Sequence, residues 1–186
     1  MASQVEICNM ALLQLGAARI NSISDNSDEA RLCSAFYNQT VDLVSVDGKW
    51  PTTITRQDLS QTDNTPEFDF TYEYQLPTVP FCLSVVSIDG DVEYVIEGDK
   101  LLTDESTASI KYIARLTNPQ AYGPHLTQAI VNKLTATLAY PISAQVGVQD
   151  RWVNYYDSQL PRLLASAMLQ NSLQNYECST LTYDIR

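Results

Sequence analysis

The sequence is poor in positive charge. Its 186 residues carry 11 Lys and Arg against 22 Asp and Glu, which leaves a formal net charge of −11. A protein that grips nucleic acid needs a basic surface to neutralise the phosphate backbone. The charge balance therefore argues against tight nucleic-acid binding, and the plainest interpretation of the acidity is solubility.

The sequence also lacks the segments that would tie it to a membrane. No apolar run approaches the roughly 20 residues that cross a bilayer. The first residues lack the basic and apolar regions of a secretory signal. We therefore expect no membrane partner and no cleaved leader.

Metal-ligating patterns are missing as well. The cysteines Cys8, Cys33, Cys82 and Cys178 form no C-x-x-C pair, and His125 is the single histidine. This composition argues against a zinc site. Unpaired cysteines favour a reducing compartment, and a disulfide is the alternative that the sequence leaves open.

Catalytic motifs are equally scarce, because no G-x-S-x-G, H-E-x-x-H, Walker A or G-x-G-x-x-G spacing occurs. Glu67, Asp69 and Glu73 alternate with aromatic residues and could imitate the two carboxylates of a glycoside hydrolase, which face each other roughly 5–9.5 Å apart. Acids in such a pattern more often form the wet face of a sheet. We expect no catalytic residue, no cofactor and no metal, and keep a hydrolase as the alternative.

The second half of the chain is dominated by two long helical patterns. Pro124 suits the first turn of a helix, and apolar residues recur at helical spacing until Pro141 interrupts them. A second apolar stripe runs over residues 146–175. Two helices are also predicted near the start, over residues 3–15 and 27–46. Their capping-box spacings are Ser3 with Glu6 and Asn26 with Glu29.

Between residues 51 and 117 the hydrophobic period changes from 3.6 to 2, which predicts strands. We expect strands at 68–74, 81–88, 92–96, 100–103 and 109–116, a loop at 52–66, and a hairpin-type turn at 89–91. The predicted fold is α+β: a four-helix bundle with an inserted small antiparallel β domain and an extended C-terminal tail. The bundle takes residues 1–49 and 118–175, the β domain 50–117, and the tail 176–186.

Several segments, in this order and spacing, resemble one family of proteins. They are residues 7–16 (ICNMALLQLG), 22–27 (SISDNS), 29–33 (EARLC), Trp50, 72–77 (YEYQLP), 110–113 (IKYI) and the helix over 129–141. The sequence resembles the head-to-tail adaptors of tailed phages, in particular the tail tubular protein A family of short-tailed phages. It departs from the family pattern at Pro51 and at Pro161, which should kink the last helix.

The resemblance implies a structural virion protein at the head–tail junction, made in the host cytoplasm. It implies a ring, commonly of twelve subunits, that docks under the portal protein, contacts the next tail component (a nozzle or tail tube), and lets DNA pass without binding it tightly. The helices would form the ring body and the β region would face the tail. The alternatives are a virion-associated carbohydrate-active hydrolase that uses acids of the β domain and a monomeric host-modulating module.

Three sets of residues are candidate contacts. Tyrosine combines apolar area with a polar tip and is enriched at interfaces, and a free segment with alternating apolar residues can add to a sheet edge. The predicted portal-docking residues are Tyr176, Leu181, Tyr183 and Ile185. The predicted subunit-interface residues are Trp152, Tyr155 and Tyr156, and the predicted tail-facing residues are Tyr72, Tyr74 and Tyr94.

Overall fold

The computed structural model describes residues 3–172, and these residues form an α+β protein with four helices and seven strands. The helices are α1 (Gln4–Gln14), α2 (Asp28–Asp47), α3 (Gly123–Ser143) and α4 (Val146–Ser172). The strands are β1 (Ile54–Asp58), β2 (Ser60–Gln61), β3 (Tyr72–Gln75), β4 (Cys82–Ile88), β5 (Tyr94–Glu97), β6 (Lys100–Thr103) and β7 (Ser109–Ala114). All strands therefore lie between the second and third helices along the chain.

The predicted capping box at the start of α1 is confirmed. The Ser3 hydroxyl accepts a hydrogen bond from the backbone N–H of Glu6 at 3.2 Å, and the Glu6 carboxylate accepts one from the Ser3 N–H at 2.7 Å. Two backbone donors that the helix leaves unpaired are satisfied in this way. The sequence pattern therefore located this helix start correctly.

The cap of α2 differs from the prediction by one residue. The N-cap is Ser27, whose hydroxyl accepts from the Ala30 N–H at 3.2 Å, and not Asn26. The Asn26 side chain instead accepts a hydrogen bond from the guanidinium of Arg31 at 2.6 Å. Serine and asparagine are comparable N-caps, so residue type alone does not decide between positions 26 and 27.

A buried amide holds the connection between the first two helices. Asn9 on α1 is 6% exposed, and its side chain donates to the carbonyl of Ile20 at 2.9 Å and accepts from the Ile20 N–H at 2.8 Å. Both polar functions of a buried amide are thereby paired, which removes the cost of burying it. The polar stretch after α1 thus folds back onto that helix.

The strands form two antiparallel sheets. The three-stranded sheet has the order β1-β7-β4, and the four-stranded sheet has the order β2-β3-β6-β5. The 3-10 turn Asp89–Asp91 follows β4 but does not close a hairpin, because β4 pairs with β7 whereas β5 pairs with β6. The predicted hairpin turn at 89–91 is therefore wrong, and the segment leads from one sheet to the other.

Two strands occur where a loop was predicted. β1 and β2 lie within residues 52–66, and β1 pairs along its whole length with β7. Its residues Ile54–Asp58 are mostly polar and exposed, so no apolar alternation marks them. The strand forms because β7 offers an edge for backbone hydrogen bonds, and the β7 partners lie 51 to 59 residues further along the chain.

The predicted aromatic strand at 68–74 is much shorter than expected. Strand β3 begins only at Tyr72, while Phe68 is 75% exposed and Asp69 has a positive φ of 69°. A residue in the left-handed region breaks the extended conformation that a strand requires. The alternation of aromatic and acidic residues therefore extends beyond the strand.

The helices do not form the predicted four-helix bundle with an inserted β domain, and that prediction is wrong. Helix α3 packs against α1, α2 and α4, whereas α1 and α2 make little contact with each other. The physical reason lies in α3, where four consecutive residues, 129–132, are buried. A helix that is buried over more than one face must be covered by several partners. The predicted C-terminal tail lies outside the described residues.

The buried residues form two separate hydrophobic cores. The helix core contains Trp50 and Tyr122 together with the inner faces of the four helices, and the sheet core contains Tyr74, Leu101 and Tyr112. Cys8 and Cys33 are free thiols in the helix core. Cys82 on β4 is a free thiol that packs against the sheet core. The helical and β domain boundaries stay a prediction, although Trp50 packs with the helices.

The chain crosses between the two cores at neighbouring positions. On the first crossing, the indole N–H of Trp50 donates to the carbonyl of Val44 at 2.7 Å. The Thr52 hydroxyl then donates across to the carbonyl of Tyr122, on the second crossing, at 3.4 Å. Close by, the Arg115 guanidinium makes two hydrogen bonds, at 3.0 and 2.6 Å, to a carboxylate of α2, that of Asp42. Both crossings are therefore tied to the helix core.

We expect Gly48→Ala to destabilise the protein by about 1–3 kcal/mol. A Cβ at Gly48 would lie 2.5 Å from Leu164 Cδ2 and 2.7 Å from the Trp50 indole nitrogen, which the Val44 carbonyl holds in place. Gly147→Ala is the matched control, because a Cβ there meets no atom within 4 Å. Urea unfolding should show Gly147→Ala unchanged or more stable by up to about 1 kcal/mol. Equal midpoints for the two variants would contradict the packing described.

Candidate interaction surfaces

The aromatic cluster of α4 is divided between the surface and the interior. Trp152 and Tyr155 contact each other edge to face, with ring centroids 5.4 Å apart and planes at 83°. Tyr155 is 45% exposed, and Trp152 is half-buried. Tyr156 is 2% exposed. The first two of these predicted subunit-interface residues are accessible to a partner, and the interface role of all three stays a prediction.

Tyr156 joins three helices inside the chain. Its hydroxyl donates to the carboxylate of Asp47, at the end of α2, at 2.8 Å. The Lys133 ammonium of α3 lies 4.5 Å from the centre of the Tyr156 ring and 3.8 Å from the same carboxylate. Burial, followed by the hydrogen bond to Asp47, raises the pKa of the Tyr156 phenol. The sequence marked this tyrosine as a contact residue but contained no sign of its two partners.

Large apolar side chains are exposed on all four helices. We call them the outer apolar set, and its members are Met10, Leu13, Leu43, Val46, Tyr140, Val146, Val153, Tyr155, Met168 and Leu169. Each is between 38% and 62% exposed. Isolated exposed apolar residues are ordinary, whereas apolar residues that lie together on one face are typical of surfaces that contact other proteins.

Part of this set was missed by the sequence reasoning. Leu43 and Val46 lie on α2, outside the buried stripe that contains Val41 and Val44. The signal was present in the sequence, because positions 43 and 46 are three residues apart and share a helix face. A search for the buried stripe of a helix does not reveal a second apolar stripe on its exposed face.

The tail-facing tyrosines share one face of the four-stranded sheet. Thr103 on β6 lies opposite Tyr72 on β3 and opposite Tyr94 on β5. Both tyrosines are half-buried against the sheet core. Tyr74 is 2% exposed, and its hydroxyl donates to the Glu105 carbonyl at 2.8 Å. Only the outer parts of Tyr72 and Tyr94 are therefore available for contact with another molecule, and the tail-facing role stays a prediction.

The acids proposed for a hydrolase do not form a matched pair. Glu73 is bound by the ammonium of Lys100 and the hydroxyl of Thr62, and these groups hold the pKa of its carboxyl below the ordinary value. A general acid in a glycoside hydrolase needs a raised pKa. Asp69 lies outside the strand in a left-handed conformation and is exposed. This arrangement gives Glu73 the character of a structural ion-pair partner.

Acidic residues are concentrated in the strand region. Between residues 50 and 117 the sequence has twelve Asp and Glu against four Lys and Arg. Helices α3 and α4 together carry only two acids and three bases. Helices α3 and α4 therefore carry little charge, whereas the strand region is strongly negative.

Comparison with known proteins adds no assignment. No family model matches the chain, and no curated protein matches it at a significant level. Within residues 3–172, none of the helices combines the length and the apolar character that a membrane crossing requires. The predicted portal-docking residues Tyr176, Leu181, Tyr183 and Ile185 lie outside the described residues.

Tyr156→Phe should destabilise the protein by about 1 kcal/mol, since it removes the hydrogen bond to Asp47 and leaves the ring in place. The neighbouring Tyr155→Phe is the control and should change stability by less than about 0.5 kcal/mol, because its ring is exposed. Chemical denaturation of both variants measures the difference. An equal loss in both would show that the Asp47 contact contributes nothing.

Stability should fall in acid in a way that depends on Glu73. Because its pKa is lowered in the folded protein from the ordinary 4.5, its contribution is complete above that value. The contribution is lost as the pH falls through the folded pKa. Glu73→Gln should therefore show a smaller drop in Tm between about pH 6 and pH 3 than the wild type. Glu67→Gln, which replaces an exposed carboxylate, is the control. A Glu73→Gln drop equal to that of the wild type would refute the assignment.

Proposed function

We propose that the protein is a structural subunit of a ring that joins the portal of a viral capsid to the next tail component and lines the path of the DNA. The observation that carries the proposal is the outer apolar set, which leaves large apolar side chains exposed on every helix. A stable monomer gains nothing from this exposure, whereas a subunit packed between two neighbours buries it. The resemblance to head-to-tail adaptors supplies the type of assembly.

The charge of the helices supports self-association. Interface cores are depleted in charged residues and enriched in aromatic residues. Helices α3 and α4 carry only five charged residues between them, and Trp152 and Tyr155 are accessible on α4. With 27 residues, α4 is about 40 Å long, which offers an extended face to a neighbouring subunit.

The acidity supports a channel through which DNA slides. A surface rich in carboxylates repels phosphates and gains no counterion release from contact with them. Each subunit contributes a net charge of −11, and most of this charge belongs to the strand region. A ring of such subunits would be strongly negative, which favours passage of DNA over retention.

The hydrolase alternative has less support. A glycoside hydrolase requires two opposed carboxylates with distinct pKa values. Glu73 is held in an ion pair with Lys100, which lowers its pKa, and no second carboxylate among residues 3–172 shares its hydrogen bonds. No observation on the described residues favours this function over assembly.

The test is to mix the purified protein with portal rings of the same virus and measure the mass of the product by sedimentation and native mass spectrometry. The wild type should add a ring of subunits to the portal. Tyr155→Glu should prevent this addition, because it places a charge in the predicted contact. Asn154→Glu is the control, because it adds the same charge one residue away at an exposed polar site. Both variants should keep the Tm of the wild type within about 4 °C, which separates assembly from folding.

A second arm of the same experiment addresses the C-terminal segment. Deletion of residues 176–186 should leave a folded protein that fails to join the portal. If the truncated protein joins portal rings with unchanged affinity, the docking role of Tyr176, Leu181, Tyr183 and Ile185 is wrong. If the full-length protein adds no mass to the portal, the adaptor function itself is wrong.

A further inference from the structure

Two cations on the three-stranded sheet stand apart from the rest of the strand region. Of the four basic residues between positions 50 and 117, Lys100 is paired with Glu73 and Arg115 with Asp42. The other two, Arg56 and Lys111, have no carboxylate within 4.0 Å among the side chains that the structure describes. In a region with twelve acids, two unpaired cations are unexpected.

The sheet places these two cations side by side. Arg56 on β1 lies directly opposite Lys111 on β7, and Lys111 lies opposite Ser87 on β4. Residues opposite each other in antiparallel strands share a face, so the three side chains form one row across the sheet. Like charges that face each other in this way oppose folding. An anion that lies against the row would relieve this repulsion.

The row lies in a shallow polar concavity. Its volume is about 680 Å³, and Ser87, Ser109 and both cations line it. Asp58 and Asp89 line it as well, and Asp58 accepts a hydrogen bond from the Ser109 hydroxyl at 2.6 Å. The site thus offers two cations and the Ser87 hydroxyl, beside two carboxylates that limit how much negative charge can enter.

We propose that this concavity receives the β5–β6 hairpin of a second copy of the chain, with the Glu97 carboxylate against Arg56 and Lys111. The hairpin turn carries Glu97 and Asp99, both exposed, and the adjacent edge strand β5 exposes Val95 and Ile96. Glu97 lies opposite Lys100 in register, but the Lys100 ammonium is bound to Glu73 instead. Among residues 3–172, Glu97 on one sheet and Arg56 with Lys111 on the other therefore make no ion pair.

The acidic surroundings favour a carboxylate over a nucleic acid. A phosphate backbone would bring many negative charges against the twelve acids of the strand region, whereas one hairpin brings two. The contact joins different surfaces of two copies, so it repeats from copy to copy and closes into a ring when the rotation allows. The inference rests on the proposed ring assembly and names a second contact in it, away from the helices.

The first test uses a zero-length carbodiimide cross-linker on assemblies of mixed isotopically light and heavy copies. The expected product is an amide between the Lys111 amine and the Glu97 carboxylate that joins one light and one heavy peptide. Lys111→Arg keeps the charge and removes the reactive amine, so this cross-link should disappear while assembly persists. A wild-type assembly without any mixed Lys111–Glu97 product overturns the inference.

The second test reverses the charges one at a time and then together. Lys111→Glu and Glu97→Lys should each weaken self-association at least about tenfold, and the double variant should recover most of it, because the ion pair is rebuilt in the opposite sense. Lys49→Glu, an exposed lysine outside the strands, controls for the change in net charge. Sedimentation at several concentrations measures the association.

The outcomes separate the two proposals. If the wild type assembles on the portal and the charge reversals show no coupling, this contact is wrong and the adaptor function stands. If the wild type assembles under no condition, both fail. If a short DNA duplex binds the wild type and Lys111→Glu abolishes that binding, the concavity is a phosphate site and the inference is overturned.

Discussion

The fold depends on the burial of α3. Four consecutive residues of this helix are inaccessible, so it needs apolar cover on nearly every side. Helices α1, α2 and α4 each supply one part of that cover, and their own outer faces are left without an internal partner. We attribute the outer apolar set to this arrangement, in which one largely buried helix is covered by only three others. The helix-mediated contacts proposed for this protein follow from that shortage of cover.

Local signals in the sequence predicted the parts of the fold that depend on local chemistry. The Ser3 cap, the β6 strand over 100–103 and the turn at Gly98 with its positive φ of 62° were all readable from short stretches. Strand β1 was not readable, because its polar residues form a strand only in contact with β7. The bundle was predicted because two long amphipathic helices need partner helices, whereas the observed arrangement has α3 packed against all three of the others.

The candidate sites show the same limit. Trp152 and Tyr155 could be proposed as contact residues because one face of a helix cannot bury all the aromatic residues of this segment. The surroundings of Tyr156 could not be predicted, because Asp47 and Lys133 come from two other helices and meet only in the folded chain. Arg56 and Lys111 lie opposite each other only because of the register between β1 and β7. The hydrophobic period of the sequence does not reveal that register.

The two chain crossings between the cores have a mechanical meaning. Both pass through the same small region, where Thr52 is bonded to the carbonyl of Tyr122 and Arg115 to Asp42. A pull between the sheets and the helices would be shared by these two neighbouring segments. The groups that it would load include the Thr52–Tyr122 and Arg115–Asp42 hydrogen bonds and the Trp50 indole, which is bonded to Val44 in the helix core.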